Sequence, residues 1–404
     1  MAENNLNEKN MWEDIERNHG ENEQISRPSL TYWQDVWSRL RRNKLSIFGL
    51  IIVICLILSA IIVPILSNYK YSDTRLDFTN IPTKLEIYKI DENTFVYPQK
   101  EYKLYMVTEK GEVLSKITEN ENNMVERYKK FDVNGTEITL DYGLLFRAKQ
   151  ENPNIKEKDV KPFEVKIGDK VLEPYKKVHN KSNWFGTDTL GRDVFVRVFY
   201  GARISLLVAF VATVVNFFIG VTYGCVSGYY GGKIDNIMMR IVDIISTVPL
   251  ILIVILLMVF LGGGLWTIIL TFSLVYWVGM ARLVRGQVLS LKEQEFILAA
   301  KTIGVSTWRI IYKHLLPNAM GTIIVTMTMM IPSAIFTESF LSFIGLGVSA
   351  PQASWGTLAN EAIGGLRLFP YQLIAPSIAI CITMLAFNFL GDGLRDALDP
   401  KLRK

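Results

Sequence analysis

KEQEFILAAKTIGVSTWRIIYKHLLPN, residues 292–318, lies between two long apolar runs. Phe296, Ala299, Ala300 and Ile303 fall at i, i+3, i+4 and i+7, the spacing of one stripe on a short helix. Gly304 predicts a stop there, because glycine enters left-handed backbone without a steric penalty. Ser306 or Thr307 can cap a second helix, on which Trp308, Ile311, Tyr312 and Leu315 repeat the spacing. Pro317 then ends that helix or opens the next. The expectation is a helix-turn-helix hairpin between two membrane segments, with a small-residue surface that something outside the bilayer must grip.

The composition sets the class. Of 404 residues, 50% are hydrophobic, and the mean hydropathy is +0.21, which predicts a polytopic membrane protein with sizeable soluble parts. The net charge of +5 is modest, so the placement of charges matters more than their sum. Cys55, Cys225 and Cys381 all sit inside apolar runs, which leaves no disulfide framework and no Cys-rich metal site. His19, His179 and His314 are too far apart to form a ligand spacing. Residues 1–30 are polar and acidic, so no cleavable signal is expected.

The topology follows from apolar runs and basic flanks. Residues 1–45 read as a cytoplasmic arm whose end, with Trp33 and Trp37 four apart, can form an interfacial helix. Arg39, Arg41, Arg42 and Lys44 precede a first span over 46–66, which at about 1.5 Å per residue covers roughly the 30 Å hydrocarbon core. The basic cluster holds the N-terminus inside. Residues 67–202 are polar and carry the alternating stretches KLEIYKI, NTFVYP, YKLYMV and FEVKI, each suited to a half-buried strand. ERYKKFDVNGTEITL offers a hairpin with Asn134-Gly135 at its tip. An inserted extracellular β-rich domain is therefore expected between helices 1 and 2.

Residues 203–393 read as a five-helix core. The second span covers about 204–226, and Gly220, Gly224 and Gly228, spaced by four, line one face for close helix packing. The third span, 241–261, contains Pro249, a kink. After a glycine turn at 262–264 the fourth span covers about 265–281. The loop 282–318 carries Arg282, Arg285, Lys292, Lys301, Arg309 and Lys313 against Glu293 and Glu295, a cytoplasmic bias. A fifth span over 320–345, an outer loop with Trp355, Glu361 and Arg367, and a sixth span over 373–390 complete the set. Residues 394–404 form a cytoplasmic tail. The fold class is an all-α membrane protein of six helices, apart from the insert, with both termini in the cytoplasm.

No phosphate loop, GxGxxG strand–turn, HExxH or nucleophile elbow occurs, so the chain reads as non-catalytic and its energy source must lie in a partner. Asp243 and Glu338 are the ionisable residues placed in or near spans, where a carboxylate either pairs structurally or lines a translocation path or gate. Met327 and Met330, beside Met329, Thr326 and Thr328, either pack the core or give the path an adaptable wall.

The hairpin resembles the cytoplasmic coupling loop of ATP-binding-cassette importer permeases: Glu-Ala-Ala, three residues, Gly, nine residues, Ile-x-Leu-Pro. Ala299, Ala300, Gly304, Leu316 and Pro317 match in register, while Leu298 and His314 replace the glutamate and the isoleucine. Glu295, Phe296 and His314 are similar to the variant of peptide permeases. NWFGTDTLGRDVFVRVFYGARISL (183–206), GDGLRDALDPKLR (391–403) and RLRRNKLSIFGLIIV resemble the C-type subunit of dipeptide and oligopeptide (peptide/nickel) importers. The match covers about 30–66 and 183–404; residues 70–180 have no recognised counterpart.

The resemblance implies a type I importer permease in the bacterial plasma membrane. It would form half of a translocation pathway with a homologous second permease. Two cytoplasmic ATPase subunits would bind ATP and magnesium, and an external peptide-binding protein would deliver cargo. This chain itself would hold no cofactor, no metal and no nucleic acid. Glu295, Phe296, Ala299, Ala300, Gly304, Trp308, His314 and Pro317 would then form the ATPase contact. The implied cargo is an oligopeptide or dipeptide, with nickel or another chelated metal as the alternative. A secondary transporter is the rival class, but it predicts an internal repeat and more intramembrane carboxylates.

Overall fold

The computed structural model describes residues 31–398, so the expected arm up to residue 30 and the end of the tail lie outside the described residues. Helix α1 (Tyr32–Arg42) buries Val36 and Leu40 against Ala397 and Leu398 and leaves Trp33 and Trp37 exposed. Asn43 ends α1, and its Oδ1 accepts from the amides of Leu45 and Ser46, capping α2 (Lys44–Leu66).

Two five-stranded antiparallel sheets follow. The strands are β1 (Lys84–Lys89), β2 (Phe95–Pro98), β3 (Leu104–Val107), β4 (Val113–Ile117), β5 (Glu119–Asn123), β6 (Tyr128–Val133) and β7 (Thr136–Asp141), then helix α3 (Leu144–Glu151) and β8 (Glu164–Ile167), β9 (Lys170–Leu172) and β10 (Lys176–His179). Their orders are β10-β1-β2-β3-β4 and β5-β6-β7-β8-β9. The four alternating stretches are β1, β2, β3 and β8. Asn134 and Gly135 turn β6 into β7 at φ 52° and 84°, the pair of left-handed positions that an Asn-Gly hairpin supplies. Leu85, Ile87, Tyr97 and Tyr105 cluster within the first sheet, whereas Phe131, Ile138, Leu140 and Val165 of the second share a buried cluster with Tyr88, Val96 and Leu104 of the first.

The sheets are tied to the helices. The side chain of Gln372 donates to Asn80 Oδ1 (2.9 Å) and to the Thr187 carbonyl (3.0 Å), and the Tyr371 hydroxyl donates to the same carbonyl (2.7 Å). Gly191, at φ 73°, passes so close to the Arg75 backbone that no Cβ fits there. The insert is shorter than the expected 67–202. Asp193 Oδ1 accepts from the Val196 amide (2.9 Å) and starts α4 (Val194–Tyr230) about ten residues before the apolar run begins.

The third expected span is not one kinked helix. Helix α5 (Gly232–Thr247) and α6 (Leu250–Leu261) meet at 81°, because Pro249 forces Val248 before it into extended backbone (ψ 121°). Next come α7 (Leu265–Val275), α8 (Trp277–Leu291), α9 (Glu295–Thr302), α10 (Thr307–Ile310) and α11 (Leu316–Phe343), then α12 (Trp355–Ala362) and α13 (Tyr371–Leu398). Among the described residues, five helices are long and apolar enough to cross a membrane, or six if the bent pair counts as one. The fourth, Leu265–Leu291, runs ten residues into the expected loop 282–318, and the sixth absorbs residues 391–398 that read as loop and tail. Trp355 is no loop residue: it is fully buried, with its indole N–H on the Val198 carbonyl at 2.9 Å.

Candidate functional site: the hairpin between α8 and α11

The hairpin stands at the end of α4 remote from the sheets. Helix α9 turns Ile297 and Ala300 inward, against Val221 and Cys225 of α4 and Val284 and Val288 of α8. Phe296, Leu298 and Ile303 point outward, with Ile303 79% exposed. Ala299 and Glu295 are exposed as well. The expected stripe of 296, 299, 300 and 303 is thus divided: only Ala300 packs inward, and Ile297 does the anchoring. The true apolar-inward face lies one residue off, because residues on both faces are apolar and periodicity alone cannot rank them.

Gly304 ends α9 at φ 76°. The Val305 amide returns to the Ala300 carbonyl (3.1 Å) and the Gly304 amide to Lys301 (3.0 Å), the paired bonds of a left-handed glycine cap. Ser306 takes the next N-cap position without a side-chain bond. Ile310, Ile311 and Leu315 are buried, whereas Trp308 and Tyr312 stack outside at 5.8 Å between ring centroids. The second helix does not stop at Pro317. Residues Ile311–Leu315 form a π turn, Pro317 enters in the first turn of α11, and the helix is continuous over Thr307–Phe343. His314 is half-buried, and its carbonyl accepts from the Asn318 side chain (2.6 Å).

The remaining residues singled out from the sequence do not converge. Met327 and Met330 are half-buried against the cluster that also holds Ala300 and Ile310. Asp243 lies on α5, more than half exposed, and pairs with Arg282 of α8 at 2.9 Å. Glu338 is fully buried, accepts from the hydroxyls of Ser205 (2.7 Å) and Ser342 (2.8 Å), and forms no ion pair among the described residues. Gly220, Gly224 and Gly228 face α8 so closely that added Cβ atoms would lie 2.6 Å from Met280 Cβ, 2.6 Å from the Ala281 carbonyl oxygen and 2.9 Å from Val288 Cβ.

Two charge clusters escaped the sequence reading. At the sheet end, Arg197 bridges Asp188 (2.6 Å) and Glu361 (2.6 Å), and Arg192 joins the same two carboxylates. At the hairpin end, Arg285 holds Asp235 through two bonds of 2.6 Å. Only the i, i+4 spacing of Asp188 and Arg192 was visible in advance.

Residues 220–404 match the family model for the binding-protein-dependent transport system inner membrane component, and residues 31–83 match the N-terminal TM domain of oligopeptide transport permease C. The chain is 41% identical to the oligopeptide transport system permease protein OppC of Bacillus subtilis over 98% of both chains. It is also 41% identical to the dipeptide transport system permease protein DppC of the same organism, over 95% of this chain and 90% of the relative. Because the first alignment spans 98% of both chains, residues 70–180, which had no recognised counterpart, find one in that relative. The OppC protein of Escherichia coli is 47% identical, but over only 55% of this chain and 73% of its own length. Among solved structures, the MetNI methionine ABC transporter in an inward-facing conformation aligns with 50% of this chain and 96% of its own, at 20% identity and a TM-score of 0.44. The two family models and the two Bacillus subtilis relatives establish that the chain is a membrane-embedded permease protein of the binding-protein-dependent transport family, in its oligopeptide and dipeptide branch.

Proposed function

We propose that the chain is one of two permease subunits of an ATP-driven importer for oligopeptides or dipeptides, with the hairpin as the dock for a cytoplasmic ATPase subunit. The observation that carries this reading is the outward row on the hairpin. Phe296, Leu298, Ile303, Trp308 and Tyr312 are all at least 44% exposed, on a surface that water would otherwise have to cover. The inward residues Ile297, Ala300, Ile310 and Ile311 fasten that surface to α4 and α8, so a push on it moves the spans.

The rest of the arrangement follows from this orientation. The hairpin and both termini face the cytoplasm, the bent α5–α6 pair counts as the third of six spans of a type I permease, and the two sheets lie outside the cell beside a peptide-binding protein. The chain performs no chemistry; ATP and magnesium belong to the docked subunits. Peptide cargo is the reading favoured by the names of the relatives, over a chelated metal. The test is Trp308→Glu, which alters an exposed side chain and leaves the buried face intact. The variant should insert normally yet lose ATPase subunits on purification and lose peptide uptake in proteoliposomes. Normal retention and uptake would refute the docking reading.

A further inference from the structure

Helix α5 has one packed face and one bare face. Ile234, Ile237, Ile241 and Ile244 are exposed along the bare side. On the other side, Met239, Val242 and Ile245 meet Trp277, Val278 and Ala281 of α8 and Tyr223 of α4. Two ion pairs run beside that contact. Asp235 and Asp243, about 12 Å apart along α5, face Arg285 and Arg282 of α8. The two pairs are unequal. Asp243 and Arg282 are about half exposed, and such a pair contributes little. Asp235 is 6% exposed and takes both prongs of the Arg285 guanidinium, while Ser227 of α4 donates to the same carboxylate. One carboxylate therefore joins α4, α5 and α8.

That junction is placed next to the root of the hairpin. Arg285 stands six residues before the end of α8, about 9 Å along the helix. Lys292, in the link to α9, donates to the carbonyl of Gly228, one residue after Ser227. Beyond α5 lies the 81° elbow into α6, of whose residues only Val254 is buried. Movement at the hairpin thus reaches α8 and α4 through packing, and reaches α5 through the Met239, Val242 and Ile245 contact and, nearest the hairpin, through Asp235.

We propose that Asp235 is a positioning residue that passes movement of the hairpin to the α5–α6 elbow, making the elbow a moving part of the transport cycle. This inference rests on the docking reading above. A bidentate Arg–carboxylate pair resists rotation as well as separation, which a single point contact does not.

The experiment compares Asp235→Asn with the parent in the complete importer, reconstituted in proteoliposomes with its binding protein and a labelled oligopeptide. Uptake and ATP hydrolysis are measured together. In parallel, spin labels at Ile237→Cys on α5 and Ser290→Cys on α8, in a background lacking the native cysteines, report the α5–α8 distance with and without ATP. The variant should hydrolyse ATP yet import about tenfold less peptide per ATP. The label distance should stay narrow through the cycle in the parent and broaden in the variant. An unchanged ratio, or a narrow distance in the variant, overturns the proposal. If Asp235→Asn fails to assemble, Arg285→Lys, which keeps the charge but not the fork, carries the same two readouts. Trp308→Glu assayed alongside separates the failures: if it loses ATPase subunits and uptake while Asp235→Asn keeps the parent ratio, this inference alone falls; if Trp308→Glu keeps both, the docking reading falls with it.

Discussion

Arg203 on α4 donates from its guanidinium to the carbonyls of Ala60 and Ile61 on α2, and the Ala60 carbonyl is the one for which Pro64 offers no amide. A proline inside a membrane helix leaves an acceptor that lipid cannot satisfy. The neighbouring helix supplies the missing donor. Close by, Tyr200 stacks on Tyr71 at 3.6 Å, so the same turn of α4 also holds the start of the sheet-bearing segment.

Arg203→Met should therefore destabilise the protein by about 1–3 kcal/mol, the penalty of a buried acceptor left unpaired. Pro64→Ala restores the amide, so the same Arg203→Met change should cost clearly less in that background. Thermal unfolding of the four proteins in detergent measures the cycle. Equal penalties in both backgrounds would show that Arg203 acts on something other than the proline-freed carbonyl.

Glu338 is the next position where burial and bonding make a distinct forecast. Its carboxyl joins α11 to α4 through Ser205, and the Trp355 amide leans on the same hydroxyl at 3.4 Å. Glu338→Gln keeps the shape and an acceptor oxygen, and should retain most stability and uptake. Glu338→Ala opens a cavity and strands two hydroxyls, for a loss of about 2–5 kcal/mol. Indistinguishable melting of the two variants would remove Glu338 from the structural account of this junction.

What could be read in advance follows the range of the forces involved. Gly304 was legible because its left-handed backbone is a local demand, as was Asn134-Gly135. Strands β1, β2, β3 and β8 were legible from alternation, whereas β4, β5, β9 and β10 were not. The facing of α9 was not, because Phe296 and Ile297 are both apolar, and only tertiary contact tells a docking face from a core face. Pro249 announced a kink but not the 81° break that the structure has there. The Arg192–Glu361 bond joins residues 169 apart, so no local pattern could reveal it.

The α4–α8 contact yields a contrast between glycines. Gly224 has the Ala281 carbonyl oxygen 2.6 Å from where a Cβ would sit, and a backbone atom cannot step aside. Gly224→Val should force the helices apart and cost about 1–3 kcal/mol, with lower yield of intact importer. Gly286, on the same α8 helix, has nothing within 4 Å. Gly286→Ala should be neutral or stabilising by about 0.5–1 kcal/mol, since alanine loses less backbone freedom in a helix. Melting temperatures of the two variants decide the matter, and equal effects would mean that the close approach is not what Gly224 provides.

Asp141 gives the sheet domain a pH dependence of definite sign. Burial works to raise the pKa of its carboxyl, but Arg147 at 2.6 Å, Lys166 at 3.0 Å and the Gly143 amide outweigh it, and the group titrates below the ordinary aspartate range. A carboxyl whose folded pKa is depressed binds protons more weakly folded than unfolded. Its stabilising contribution is thus complete above the unfolded aspartate pKa, near 3.9, and is lost as pH falls through the lower folded value. Arg147, Lys166 and β7 lose a shared anchor when that happens. The intact chain in detergent, followed by hydrogen exchange in β6–β8, should therefore show these strands opening as the pH falls through and below the ordinary aspartate range. Asp141→Asn should open them already at neutral pH and flatten the acid dependence. An unchanged acid profile in Asp141→Asn would assign the acid sensitivity of this sheet to other carboxylates.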